Sequence, residues 1–328
     1  MKRLAGWVGG LFLAAVGIIA ATWAFGALWF DAPAANRILA IAFLIACVAV
    51  LGFVRRVGQK LGAFAILFGT VLPWWLTLKP RNEANWQPDV AQLAWAEINS
   101  DEVTLHNVRN FEYRTEADYT PHWETRTVQI SKLTGADLAM NYWGSPWIAH
   151  PIVSFQFSDS LPLAVSIETR KVIGQTYSAL RGFFRQYELI YILADERDVI
   201  RVRTNFRTSE DVYLYHLNLP LEQVRGRFLE YMRRINELHA SPEWYNAITS
   251  NCTTNIRTQR MAAKRTPWDW RILVNGKGDE LLYERGILDH SVPFAELKRR
   301  AYINARARAA NNAPDFSERI RTHLVGEH

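Results

Sequence analysis

A chain of 328 residues is too long for one small domain and has room for an anchor plus a domain. Its formal net charge of +6 comes without a long basic run, which argues against a nucleic-acid partner. No internal repeat is evident, and the short Ala/Arg/Asn-rich passage Ala305 to Ala313 reads as a helix end running into a loop.

Three stretches near the N-terminus carry no charge: Ala5 to Phe30, Ile38 to Val54 and Leu61 to Leu78. Each approaches the ~20 apolar residues that cross a bilayer, so three transmembrane helices are predicted over about 5–30, 38–54 and 61–78. A cleaved signal peptide would have a shorter apolar core followed by a soluble chain, whereas here two further apolar runs follow. Lys2 and Arg3 precede the first span, and Arg55, Arg56 and Lys60 separate the second from the third. The loop Asp31 to Arg37 carries one positive and one negative residue. Positive loops stay inside, so the N-terminus is expected in the cytoplasm and everything after Leu78 outside the inner membrane. Trp74 and Trp75 fit an interfacial aromatic belt at the end of the third span. The expected division is an anchor over 1–80 and one outward-facing domain of α and β structure over 81–328.

Within that domain the stretch "WIAHPIVSFQF" alternates, with Val153, Phe155 and Phe157 on one face and His150, Ile152, Ser154 and Gln156 on the other. "LAVSIETRKV" follows, with Ser166, Glu168 and Arg170 on its polar side. Paired as an antiparallel hairpin across Ser158 to Pro162, matching polar faces require paired residue numbers with an even sum. A sum of 318 sets Glu168 opposite His150, and a sum of 320 sets Arg170 there. Glu168 and Arg170 also have a plainer reading as a cross-strand charge pair.

"ADERDVIRVR" is read as a charge cluster capping a turn, with Arg201 and Arg203 on the solvent face of a strand, where their guanidinium groups suit a phosphate. Leu221 to Leu238 reads as a helix with Val224, Phe228, Met232 and Ile235 packed inward.

Cys47 lies inside the second span and cannot reach Cys252, so the outer domain holds a single thiol in an oxidising space. Such a thiol is either buried and inert or kept for chemistry. In "YNAITSNCTTNIRTQR", Ser250 and Asn251 suit a helix cap, with Cys252 in the first turn of a helix running to Ala263. There the free backbone N–H groups and the helix dipole favour the thiolate. They would also hold an oxyanion during acyl transfer. "NGKG" at Asn275 to Gly278 lacks the rest of a phosphate-binding loop and reads as a turn. No cluster has metal-ligand spacing, so neither a metal nor a cofactor is expected.

The blocks "HPIVSFQF", "VSIETRK", "YELIYILADERDVIRVRTNFR", "VYLYHL", "PEWYNAITSNCTT" and "FSERIR" together resemble the Lnb periplasmic-domain family over roughly His106 to Arg321. That family is similar to circularly permuted papain-like, NlpC-like proteins, in which a strand-borne His precedes a helix-borne Cys. Lecithin retinol acyltransferase shares that order and has an Asn-Cys start to its nucleophile helix. The resemblance implies an α+β domain with an antiparallel sheet and a Cys-bearing helix, with Cys252 as nucleophile and His150 as base. It implies the activity of an apolipoprotein N-acyltransferase, which takes a fatty acyl chain from a phospholipid to a lipoprotein N-terminus through a thioester. Glu168 would orient His150, while Asn251, Arg170, Arg201 and Arg203 would contact substrate. The alternatives are an NlpC-like cysteine peptidase or amidase acting on wall peptides, and a non-catalytic envelope scaffold.

Overall fold

A computed structural model describes residues 2–247, 269–272, 275–322 and Leu324. The chain forms two compact units. One comprises Met1–Arg81, Tyr177–Glu188 and Trp244–Asn246; the other comprises Asn82–Thr176, Leu189–Glu243 and Ala247–His328.

In the first unit the three uncharged runs fold as helices α1 (Lys2–Asp31), α2 (Asn36–Phe53) and α3 (Val57–Thr77). Their apolar stretches of 25, 18 and 21 residues reach about 37, 27 and 31 Å at 1.5 Å per residue, against a hydrocarbon core of ~30 Å. All three are long and apolar enough to cross a membrane. Leu11, Ile18, Ile45, Leu51 and Ile66 are largely exposed, which water would penalise and lipid would not. Where the helices meet, small residues allow close approach, and Ala24 and Ala27 pack with Phe43 and Val71. Pro73 falls within α3. The two later stretches of this unit pack on the same helices: Phe184 joins that apolar cluster, and Trp244 donates to the carbonyl of Leu78.

The second unit is built on a sheet. Its strands are β1 (Trp95–Asn99), β2 (Glu102–Arg109), β5 (Trp123–Gln129), β6 (Leu133–Trp143), β7 (Ala149–Phe157), β8 (Leu163–Arg170), β9 (Glu188–Asp195) and β10 (Glu210–His216). They lie in the order β1-β2-β9-β8-β7-β6-β10, with β5 also against β2. A separate ribbon joins β3 (Glu112–Tyr113) to β4 (Tyr119–Thr120). The expected antiparallel sheet is corrected to a mixed one, because β2 pairs parallel to β9 through Arg109 and Ala194. That contact follows from the long excursion between the two strands, which a hairpin cannot make.

Both faces of the central strands are covered. Helix α5 (Leu221–Ala240) buries Val224, Phe228, Met232, Ile235 and also Tyr231 and Leu238. The Phe155 ring of β7 meets Phe228 at 5.3 Å and Tyr231 at 5.8 Å. On the opposite face Ile152, Ile190, Ile192 and Leu214 pack with Val199, Ile200, Ile303 and the helical residues Ala307, Phe316 and Ile320. His150, Ser154 and Ser166 belong to this second face, so what the alternation marked as polar is enclosed rather than wet; both serines are fully buried.

Candidate active site

Strands β7 and β8 pair with Ile152 opposite Ser166 and Val153 opposite Val165. This is the register of sum 318, and its continuation brings Glu168 toward His150 rather than Arg170. The two side chains do not touch directly: Nε2 of His150 and Oε1 of Glu168 are 4.0 Å apart. Ser166 stands between them. Its oxygen lies 2.7 Å from His150 Nε2, and its hydroxyl donates to Glu168 Oε1 at 2.7 Å. A serine has one hydrogen to give, so once it goes to the carboxylate the hydroxyl oxygen can only accept from His150 Nε2–H. A neutral imidazole with its hydrogen on Nε2 carries its lone pair on Nδ1. Nδ1 has no hydrogen-bond partner among the described residues.

Charge around the imidazole is set by Arg203, which donates to Glu168 Oε1 at 3.0 Å. Burial, then the nearby Arg203 charge, push the His150 imidazole down to about 3 against the opposing pull of Glu168. Burial alone would raise the Glu168 carboxyl, but Arg203 and then Arg109 outweigh it and hold it well below the usual carboxylate range. The resting site is therefore a neutral imidazole beside a carboxylate whose charge is balanced by a guanidinium. Across the sheet, Asn141 of β6 lies opposite His150. Its amide nitrogen donates to Glu210 at 2.6 Å, while its oxygen is buried without a partner among the described residues. Directly opposed residues share a face, so an acceptor unpaired among the described residues lies on the same face of the sheet as the imidazole.

Residues 119–276 match the family model of the Lnb N-terminal periplasmic domain. The resemblance to that family is shown over this stretch. No curated protein and no solved structure matches the chain. The matched span is shorter at both ends than the stretch His106 to Arg321, yet it holds His150, Ser166, Glu168, Arg170, Arg201, Arg203, Asn251 and Cys252. The chain thus joins three helices long and apolar enough to cross a membrane to a stretch similar to a periplasmic domain.

Asn251 and Cys252, the expected nucleophile and its neighbour, lie outside the described residues. Arg170 is not gathered with His150 and Glu168. Its guanidinium stacks over Trp86 at 4.2 Å and donates to the carbonyls of Asn82, Val90 and Ala91, pinning the segment before β1. The strand expected for Arg201 and Arg203 is corrected to helix. After β9 the chain forms α4 (Glu196–Val199), capped by the Asp195 side chain on the Arg197 N–H, and then a π-helical turn over Val202–Phe206. Both arginines are buried. Arg201 donates to Arg197 O, Asn312 and Glu112, so it ties the π turn to its surroundings. Of the four expected substrate contacts, Arg203 alone among the described ones reaches the Glu168 carboxylate.

Ser166, the link between His150 and Glu168, was not expected from the sequence, although its spacing of two from Glu168 on the polar face was the available signal. A second histidine–carboxylate pair on the same face was not expected either. His216 Nδ1 lies 2.8 Å from Asp137. Asp137 accepts from Arg321 at 2.8 Å, Arg321 grips Glu196 with two nitrogens, and Glu196 accepts from Ser154. Every charge in this chain of contacts has a partner, which is the condition for burying it.

Proposed function

We propose that the protein is a membrane-anchored thiol acyltransferase of the bacterial inner membrane, with the N-terminus in the cytoplasm and the 81–328 domain in the periplasm. The domain takes a permuted papain-like, NlpC-like fold. Cys252 is the nucleophile, His150 the base, and Glu168 orients His150 through Ser166. The observation that carries this reading is the orientation of His150: Ser166, itself donating to Glu168, accepts Nε2–H, so the lone pair that can take a proton is on Nδ1. The match over 119–276, which spans both His150 and Cys252, supports it. A π-helical turn beside the carboxylate also supports it, because such turns are frequent at functional sites.

In the first half-reaction the Cys252 S–H proton passes to His150 Nδ1, and the sulfur attacks the carbonyl carbon of a phospholipid ester. The ester C–O bond breaks, His150 returns its proton to the departing alkoxide, and lysophospholipid leaves with the acyl group held as a thioester. In the second half-reaction the free amine of a lipoprotein's lipid-modified N-terminal cysteine attacks that thioester. His150 takes the amine's proton, the S–C bond breaks, and the proton returns to sulfur. Atoms balance without a cofactor.

The test is transfer from phospholipid vesicles to a synthetic peptide bearing a lipid-modified N-terminal cysteine, read as mass gain with loss of the free amine. Native protein should acylate the peptide, Cys252→Ala and His150→Gln should not, and His216→Gln should retain transfer. Cleavage of wall peptides by the native protein without any amide product would replace this reading with an amidase.

A further inference from the structure

A short stretch from the middle of the chain packs among the N-terminal helices, within the first unit. Residues 178–184 make one helical turn, with Gly182 N–H bonded to Ser178 O and Phe184 N–H bonded to Arg181 O. Phe184 is turned inward, buried among Ala24, Ala27, Phe43 and Val71, and its ring is 5.0 Å from that of Phe30. The ring lies so close to Gly26 that a Cβ there would sit 2.2 Å from Phe184 Cζ. The turn is fixed at both ends: Ser178 N–H donates to Tyr187 Oη, while Asp31 accepts from Arg185 N–H, Gln186 and Trp75. Arg185 also stacks over Trp75 at 3.9 Å.

The depth of this contact is informative. Gly26 precedes Asp31 by five residues, which is about 7.5 Å down the helix axis. Phe184 therefore meets α1 inside its apolar stretch rather than above it. Leu180 and Phe183, three apart and on one side of the same turn, are 59% and 38% exposed, unlike the buried Phe184. Tyr177, just before the turn, is 48% exposed. Arg181, between the two apolar side chains, is exposed as well. Exposed apolar side chains beside a residue packed within the span, with an arginine able to reach up to headgroups, have the pattern of an interfacial anchor.

We propose that residues 177–184 form a wedge that enters the outer leaflet, with Leu180 and Phe183 among phospholipid acyl chains and Arg181 at the phosphates. The occupant of this surface is the bilayer, because the turn is continuous with helices whose own outward faces are apolar. The proposal rests on α1, α2 and α3 spanning the membrane, and the test separates the two claims.

Single-cysteine variants Leu180→Cys, Phe183→Cys, Ile45→Cys on α2 and Asp118→Cys in the exposed β3–β4 turn are made in a full-length chain carrying Cys47→Ser and Cys252→Ala. Each is labelled with an environment-sensitive fluorophore and reconstituted in phosphatidylethanolamine–phosphatidylglycerol vesicles containing lipids brominated along the acyl chain. The wedge predicts strong quenching at 180 and 183, as at 45, and none at 118. Quenching at 45 without quenching at 180 and 183 overturns the wedge and leaves the anchor standing. Absence of quenching at 45 overturns the anchor, and the wedge falls with it.

Discussion

At the residue scale the consequence of Ser166 is a fixed tautomer, and a fixed tautomer makes separate predictions for stability and rate. His150 has a folded pKa pushed down to about 3, below its ordinary value of 6.5. Above pH 6.5 the imidazole is neutral both folded and unfolded, so its full contribution is present. Between 6.5 and 3 the unfolded chain takes up a proton that the folded one refuses, and stability falls by up to ~1.4 kcal/mol per pH unit. Thermal melting of the detergent-solubilised protein should therefore decline with acidity through that window, and His150→Gln should flatten the decline. Ser166→Ala removes the acceptor of Nε2–H and one donor to Glu168. A general base is worth roughly 10²–10⁴ in rate, and an imidazole that is present but loosely held should lose roughly tenfold of this. The expected sign is a lower kcat with a shifted pH profile, which a purely structural loss would not produce. Little of this was legible in the sequence. Alternation placed His150, Ser166 and Glu168 on one face, and parity narrowed the register to two choices, but which side chain bridges which depends on distances that no pattern carries.

At the element scale, buried ion pairs decide how the second face of the sheet is closed. Arg203 brings the π-helical turn to β8 through Glu168, and Arg109 brings β2 to α4 through three hydrogen bonds to Asp198. Removing one partner of such a pair leaves the other charged and enclosed, at about 3–5 kcal/mol. Glu168→Gln should accordingly lower the melting temperature even where activity is not measured, and restoring Glu should restore it. The sequence misled here for a physical reason. "VIRVRT" alternates apolar and charged residues as a half-exposed strand does, yet its arginines are buried against carbonyls and carboxylates, so the period of two carried no sheet. Helix α5, by contrast, was legible because its apolar stripe meets a single continuous apolar surface.

At the scale of the whole molecule, the three uncharged runs announced their helices, since a lipid environment needs no alternation and leaves a continuous signal. The stretch 177–188 gave no such signal, because its place depends on the missing side chain of Gly26, far away in sequence. Gly26→Leu should expel Phe184 and cost roughly 1–3 kcal/mol, read as a lower melting temperature together with new proteolysis within 177–188. In the proposed reaction Cys252 carries an acyl group taken from phospholipid. Intact-protein mass spectrometry after incubation with phospholipid vesicles, without an acceptor, tests it most directly. A hydroxylamine-labile acyl adduct is expected on the native protein, absent from Cys252→Ala and slow to form in His150→Gln. An unmodified native protein, or an adduct that persists in Cys252→Ala, would contradict it.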